Sequence, residues 1–265
     1  MELGLTDRVV FMTGASGGIG RALARAFGAE GARLVLHGHG NLAALEAWAA
    51  EQPFADRCLV VGADIADPAA VEAAFDAALA RFGRVDVCLA NAGVWPPADV
   101  HVVDLDEARA RRTVEVNLFG ALWTARAFLR ALRATGPHPS GDGAALLFTG
   151  STAAKFGERG HADYALAKAG LYGLARSLKN EVVAIDPRAR VNIVEPGWTV
   201  TEMTRRTLED PELVARAVRT MPLKQLGRAE DVARTALWLA SPVAARHISG
   251  EAVTVAGGME GRVLD

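Results

Sequence analysis

Apolar residues fall along this chain in two alternating patterns: short continuous runs, and longer stretches where they return every three or four positions. The short runs, rich in Val, Leu and Ile, predict strands over 8–12, 33–37, 58–61, 85–90, 144–149, 190–194 and 252–255. Continuous rather than alternating hydrophobicity belongs to strands covered on both faces. The longer stretches predict helices over 18–29, 41–51, 68–82, 106–134, 161–184, 211–219 and 229–240, since a 3.6-residue period keeps one face apolar. Asp67-Pro68 and Asp210-Pro211 each set a capping carboxylate before a proline at the first helical position. Gly31 and Gly83 fall where helices should end. The alternation predicts an α/β chain: a doubly wound, parallel seven-stranded sheet with helices on both faces, as a single domain over 1–265.

Composition narrows the class. The 265 residues are 51% hydrophobic and 23% charged, which suits a globular chain with a large core and room for oligomer contacts. A net charge of −2 supplies no basic footprint, so no nucleic-acid partner is expected. No apolar run reaches the roughly 18 residues of a membrane span, and the opening Met1-Glu2-Leu3-Gly4-Leu5-Thr6-Asp7 has no signal-peptide pattern. Cys58 and Cys88 both lie in strand runs and read as reduced core thiols, so a cytoplasmic location is expected. The histidines show no metal-ligand spacing, and no metal is expected.

Two motifs carry chemistry. Tyr164 and Lys168 are four residues apart on one expected helix, so an ammonium can sit beside a phenol. A free phenol, with a pKa of about 10, is too weak a base near neutral pH, and a neighbouring positive charge lowers that value. Thr13-Gly14-Ala15-Ser16-Gly17-Gly18-Ile19-Gly20 joins a strand run to a helix run, the context of a turn that holds a dinucleotide pyrophosphate. Either motif alone has a plainer reading, a solvated lysine beside a half-buried tyrosine or a structural turn.

Taken together the motifs resemble the short-chain dehydrogenase/reductase family over essentially the whole chain. Thr13 to Gly20 resembles its glycine turn, Asn91-Ala92-Gly93 its Asn-Ala-Gly signature and Pro196-Gly197 its Pro-Gly turn, while Ser151, Tyr164 and Lys168 match its catalytic positions and Asn117 its helix asparagine. The tail from Ser249 to Gly258 resembles the family's last strand. The resemblance implies a Rossmann-type fold and an NAD(P)(H)-dependent oxidoreductase that interconverts a carbonyl and a secondary alcohol. Tyr164 would be the general acid/base, Lys168 would lower its pKa and bond the nicotinamide ribose, and Ser151 would donate to the reacting oxygen. Asn117 would help hold a water joining Lys168 to solvent. Cofactor contacts are implied for Gly14, Ser16, Gly18, Ile19, Gly20, His37, Gly38, His39, Asp64, Ile65, Asn91, Gly93, Tyr164, Lys168, Pro196, Gly197, Thr199 and Thr201. Plainer readings stay open for Asn117 as a satisfied buried amide and for Asp64 as a turn residue.

The sequence departs from the pattern after the second strand. An NAD-selecting fold usually has an acid there, bonded to the ribose 2′-hydroxyl, but Gly38 occupies that position between His37 and His39. Losing the carboxylate removes the repulsion against a 2′-phosphate, which favours NADP(H) over NAD(H), although no arginine takes its place and both histidines are mostly neutral at pH 7. Trp95, Phe156, His161 and Trp198 are candidate substrate-pocket residues, with plain packing the alternative. The segment 196–220 is a candidate lid. Length and ending resemble the 3-oxoacyl-thioester (acyl-carrier-protein) reductase branch, but Gly160-His161-Ala162-Asp163 stands where those reductases commonly carry Gln and Asn. A sugar, polyol or other small alcohol is the alternative substrate, and a non-catalytic dinucleotide-binding regulator the alternative from another class. Apolar residues around the helices 106–134 and 161–184, with the family's habit of pairing these helices, lead to an expected homotetramer.

Overall fold

The computed structural model describes residues 2–205 and 209–261. The strands are β1 (Val9–Met12), β2 (Arg33–Gly38), β3 (Cys58–Gly62), β4 (Val87–Ala90), β5 (Ala145–Thr149), β6 (Arg190–Pro196), β7 (Thr199–Val200), β8 (Gly227–Arg228) and β9 (Ala252–Val255). Between them run the helices α1 (Gly18–Ala29), α2 (Leu42–Ala50), α3 (Pro68–Phe82), α4 (Glu107–Val114), α5 (Gly120–Thr135), α6 (Thr152–Phe156), α7 (Ala162–Glu181), α8 (Pro211–Arg219) and α9 (Ala229–Ala240). Seven strands form one parallel sheet in the order β3-β2-β1-β4-β5-β6-β9. The order reverses direction between β1 and β4, where a crevice opens beyond the carboxyl ends of the strands. β7 and β8 pair separately, an element the sequence pattern does not announce because each has only two residues.

The sheet is covered on both faces, as continuous strand hydrophobicity requires. Val9 and Phe11 face one layer, where Phe11 stacks on Phe75 of α3 at 4.0 Å and the core continues through Phe128 of α5 and Leu171 of α7. Val10 and Met12 face the other, against Leu23 and Phe27 of α1, Leu45 of α2 and Leu239 of α9. Period-two alternation along each strand feeds both layers. The helix ends follow their chemistry. Asp67 caps α3 by accepting from Ala69 N, and Asp210 caps α8 by accepting from Glu212 N and Leu213 N. Gly83 closes α3 in the left-handed region, φ +79°.

The expected helix 106–134 is not uniform. Between α4 and α5 the backbone widens into a π-helical turn over Glu115–Phe119, a feature found mostly at functional sites. Of the apolar residues on these long helices, Val116, Phe128, Leu171, Leu178 and Val182 are buried within the chain, while Phe119 and Leu166 stay 43% and 64% exposed. Cys88 is buried, Cys58 half-buried, and both are free thiols. No described helix is long and apolar enough to cross a membrane.

Candidate active site

The crevice at the strand ends is a cavity of about 430 Å³, within the range of small-ligand sites. At its centre the chain turns sharply from β1 into α1. Gly14 has φ +67°, and a Cβ there would meet Ala92 Cα at 2.8 Å, so the position needs glycine for conformation and for space. The N-cap of α1 is Gly17, with no side-chain capping bond and no acid in the first turn. Those first amides face the cleft as a ready anion site, which fits the pyrophosphate of a dinucleotide.

Thr13 and Asn91 tie this loop to the neighbouring strands. Thr13 Oγ1 accepts from Asn91 N and Ala92 N, both at 3.0 Å. Asn91 Nδ2 donates to Thr13 O at 3.0 Å, and Thr149 Oγ1 donates to Asn91 Oδ1 at 3.2 Å. The ends of β1, β4 and β5 are thereby held as one floor.

His37 corrects an expectation. Its Nδ1 accepts from Gly14 N at 3.4 Å and its Nε2 donates to Ala63 O at 3.0 Å. The ring is buried, which lowers its pKa, and both nitrogens are committed to backbone. It props the glycine turn from beneath and also lines the cleft, with both ring nitrogens already engaged. His39 is exposed and lines the cleft, whereas Gly38 lies outside the lining, packed towards Leu42 and Leu45. Asp64 and Ile65 line the same end. Asp64 accepts from Ala66 N at 3.0 Å and pairs with Arg112 at 3.1 Å, so it is a turn residue as well as a wall.

At the other end, Ser151, Tyr164 and Lys168 line one corner. Ser151 follows β5 in extended backbone and caps α6 by accepting from Ala153 N, and its hydroxyl faces the same corner of the cleft as the Tyr164 phenol. Burial pushes Tyr164 up to about 12, and the neighbouring Ser151 hydroxyl opposes that shift. Lys168 Nζ donates to Thr149 O at 2.8 Å and lies 5.7 Å from the Tyr164 ring centroid, with burial pulling its pKa down to about 8. The Tyr164–Lys168 spacing predicts an ammonium that lowers the phenol; in the fold desolvation is the largest influence on both groups, and the lysine's bond goes to a carbonyl.

Asn117 sits in the π-helical turn. Its Nδ2 donates to Val94 O and Thr113 O at 3.0 Å, and its Oδ1 accepts from Val94 N at 3.2 Å. The carboxamide therefore straps residue 94 to the helix. Gly93 passes so close that a Cβ would lie 2.6 Å from Asn117 Oδ1 and 3.4 Å from Lys168 Nζ.

The candidate lid begins at Pro196 and Gly197. Thr199 and Thr201 line the cleft, and a Cβ on Gly18 would touch Thr201 at 3.0 Å, so this segment reaches across to α1. Thr204 Oγ1 donates to Thr199 O at 2.6 Å and knits the turn. Residues 206–208 of the expected lid lie outside the described residues.

Of the four aromatic candidates, Trp95 and Trp198 line the cavity, and Phe156 and His161 do not. His161 lies beneath Trp95, stacked at 3.8 Å, with its Nε2 donating to Pro96 O at 2.9 Å. Phe156 packs towards Gly261, where a Cβ would come within 2.6 Å of its ring. Glu158, Arg112 and Met203 also line the cleft and were not singled out by the sequence. Nor was Arg109, whose guanidinium grips the buried Asp163 beside Tyr164.

A family model described as enoyl-(acyl carrier protein) reductase matches residues 14–260. The chain is 35% identical to the L-rhamnose 1-dehydrogenase (NAD(P)(+)) of Azotobacter vinelandii, covering 96% of this chain and 97% of that protein. It is 33% identical to the 3-oxoacyl-(acyl-carrier-protein) reductase FabG of Escherichia coli, covering 95% and 97%. Among solved structures, a short-chain dehydrogenase/reductase of Brucella melitensis, titled glucose/ribitol dehydrogenase, superposes with a TM-score of 0.87 at 31% identity, covering 98% of this chain and 99% of that one.

Proposed function

This chain belongs to the short-chain dehydrogenase/reductase family, and we propose that Tyr164, Ser151, Lys168 and Asn117 form the machinery of its reaction. The enzyme is an oxidoreductase that interconverts a carbonyl and an alcohol. The carrying observation is that Ser151, Tyr164 and Lys168 share one corner of a cleft whose other end offers an uncapped helix N-terminus. A nicotinamide dinucleotide, when bound, supplies or accepts the hydride. Gly14 to Gly20 would hold its pyrophosphate, with Ile65, Gly93, Thr199 and Thr201 along its length.

In the direction of reduction, Tyr164 gives its phenolic proton to the substrate oxygen, and in oxidation it takes that proton back. Ser151 donates to the same oxygen and stabilises the charge that develops there. Lys168 holds the proton balance of the phenol, and Asn117 keeps the backbone at residue 94 fixed beside them. The missing acid at Gly38 supports NADP(H) ahead of NAD(H), with His39 the side chain left to meet a 2′-phosphate. Exposed Phe119 and Leu166 support a homotetramer, and two free thiols support a cytoplasmic location. The named relatives point to a 3-oxoacyl thioester or a sugar as substrate.

Tyr164→Phe removes the ionisable oxygen and keeps the ring. We expect kcat to fall by about 10²–10⁴-fold, with dinucleotide affinity retained. A variant with near-normal kcat would remove Tyr164 from the mechanism.

A further inference from the structure

One carboxylate at the substrate end of the cleft has no part in that chemistry. Glu158, in the turn between α6 and α7, lines the cavity with Trp95 and Trp198. Its side chain makes no hydrogen bond or ion pair among the described residues. The other lining carboxylates are paired, Asp64 with Arg112 and Glu202 with Arg205, both at 3.1 Å. The charges that act on Glu158 are His161, Asp99 and Arg216, and burial raises its pKa. Half-burying a carboxylate without a partner is unfavourable, so the acceptor is placed for a donor that arrives with a ligand.

The surrounding walls indicate what that ligand is. The rings of Trp95 and Trp198 meet edge to face, 6.4 Å apart at 67°, and Trp95 lies 4.8 Å from Tyr164. An aromatic face beside an acceptor suits a molecule with C–H faces and hydroxyl edges. Among the described residues, the cation lining this end is Lys168, which is committed to Thr149. A substrate anion would meet the carboxylate of Glu158 there, and no other cation among the described residues lines that end.

We infer that Glu158 is a specificity-determining residue that accepts hydrogen bonds from substrate hydroxyls and selects a neutral polyhydroxylated substrate, a sugar or polyol, over an acyl thioester. The inference rests on the oxidoreductase reading of this site and narrows its substrate. An acyl chain carries no donor, and packing it here would leave the carboxylate unsatisfied, whereas a hydroxylated substrate pairs it.

The test compares wild type with Glu158→Gln and Glu158→Leu on D-glucose and xylitol, against cyclohexanol and an acetoacetyl thioester. We expect wild type to prefer the hydroxylated pair. Both variants should lower the ratio of kcat/KM for hydroxylated over apolar substrates at least tenfold, chiefly through KM. A wild-type preference for the thioester, or an unchanged ratio, overturns the inference. Tryptophan fluorescence in the presence of dinucleotide gives a second reading, because xylitol should perturb Trp95 and Trp198. A xylitol Kd that Glu158→Leu leaves unaltered, or no response in wild type, also overturns it. Absence of turnover on every substrate by protein that binds dinucleotide rejects the oxidoreductase reading instead.

Discussion

Arg109 Nε donates to Asp163 Oδ2 at 3.0 Å across 54 residues of sequence, and Asp163 is the residue directly before Tyr164. Thr113 Oγ1 donates to the same oxygen at 3.1 Å. The guanidinium also reaches Ala98 O at 2.6 Å and Gly160 O at 3.0 Å. One cation thus fixes the first turn of α7, the 157–161 turn and the segment before α4. The acid at position 163 is buried because this arginine meets it.

Asp163→Ala should therefore lose more than a surface pair would. It strands Arg109, whose side chain keeps 18% exposure, and we expect a loss of about 3 kcal/mol, the lower end for a broken buried pair. At this chain length that is a fall in Tm of roughly 6–10 °C. Asp163→Asn, which keeps an acceptor for Thr113, should lose less. Burial pushes the Asp163 carboxyl up, but Arg109 and Thr113 hold it below the usual range. Its stabilisation is thus present above about pH 4 and lost as the pH falls. Equal melting of both variants and wild type would make the pair decorative.

Lys168 links stability to pH in the same sense, but in the alkaline range. Burial holds it at about 8 in the folded protein, against about 10.4 in an unfolded chain. Between those values the unfolded chain binds a proton that the folded one does not, so stability rises with pH. We expect a gain of up to about 3 kcal/mol between pH 7 and pH 10, largely abolished in Lys168→Met. Urea unfolding at the two pH values measures it, and an equal slope in the variant rejects the assignment. The same variant should lower kcat and weaken dinucleotide binding together.

Gly38→Asp tests cofactor choice. A Cβ there would stand 3.0 Å from Leu45 Cδ2 and 3.4 Å from Leu42 Cδ2, both ends of flexible side chains that can turn aside. The new carboxylate would accept from a ribose 2′-hydroxyl and repel a 2′-phosphate. The ratio of Kd for NADP to Kd for NAD should rise at least tenfold, about 1.4 kcal/mol. Wild type preferring NAD by that margin would reverse the proposed cofactor.

For assembly, light scattering at micromolar concentration should find four 27.9 kDa chains together. Phe119→Asp with Leu166→Asp should shift that species to a smaller one, since both side chains are exposed on α7 and the π-helical turn. A wild-type monomer rejects the tetramer.

The sheet and its helices were legible because each strand carries residues for two faces and each helix advertises its ends, as Asp67 and Asp210 do. The strand and helix bounds differ from expectation by one to three residues where ends fray or tighten, as at the end of α7 at Glu181. The π-helical turn was not legible, since Glu115 to Phe119 has no composition that distinguishes it from a continuing α-helix. His37 looked free beside a cofactor phosphate because the sequence cannot show that Gly14 N and Ala63 O converge on its two nitrogens. His161 and Phe156 have the aromatic character of pocket residues, but which side of the 157–161 turn faces the cleft is decided by long-range packing on Trp95 and Gly261. Glu158 carried no signal at all, being one acid among many until the fold placed it on the wall of the cleft that Trp95 and Trp198 also line.

The 2.6 Å approach that a Cβ on Gly93 would make to Asn117 means that these two positions constrain one another. While Asn117 straps residue 94, position 93 admits no side chain, and replacing Asn117 first would free that space only by loosening the strap. A lineage can reach a different solution here only by crossing an intermediate that is either crowded or slack.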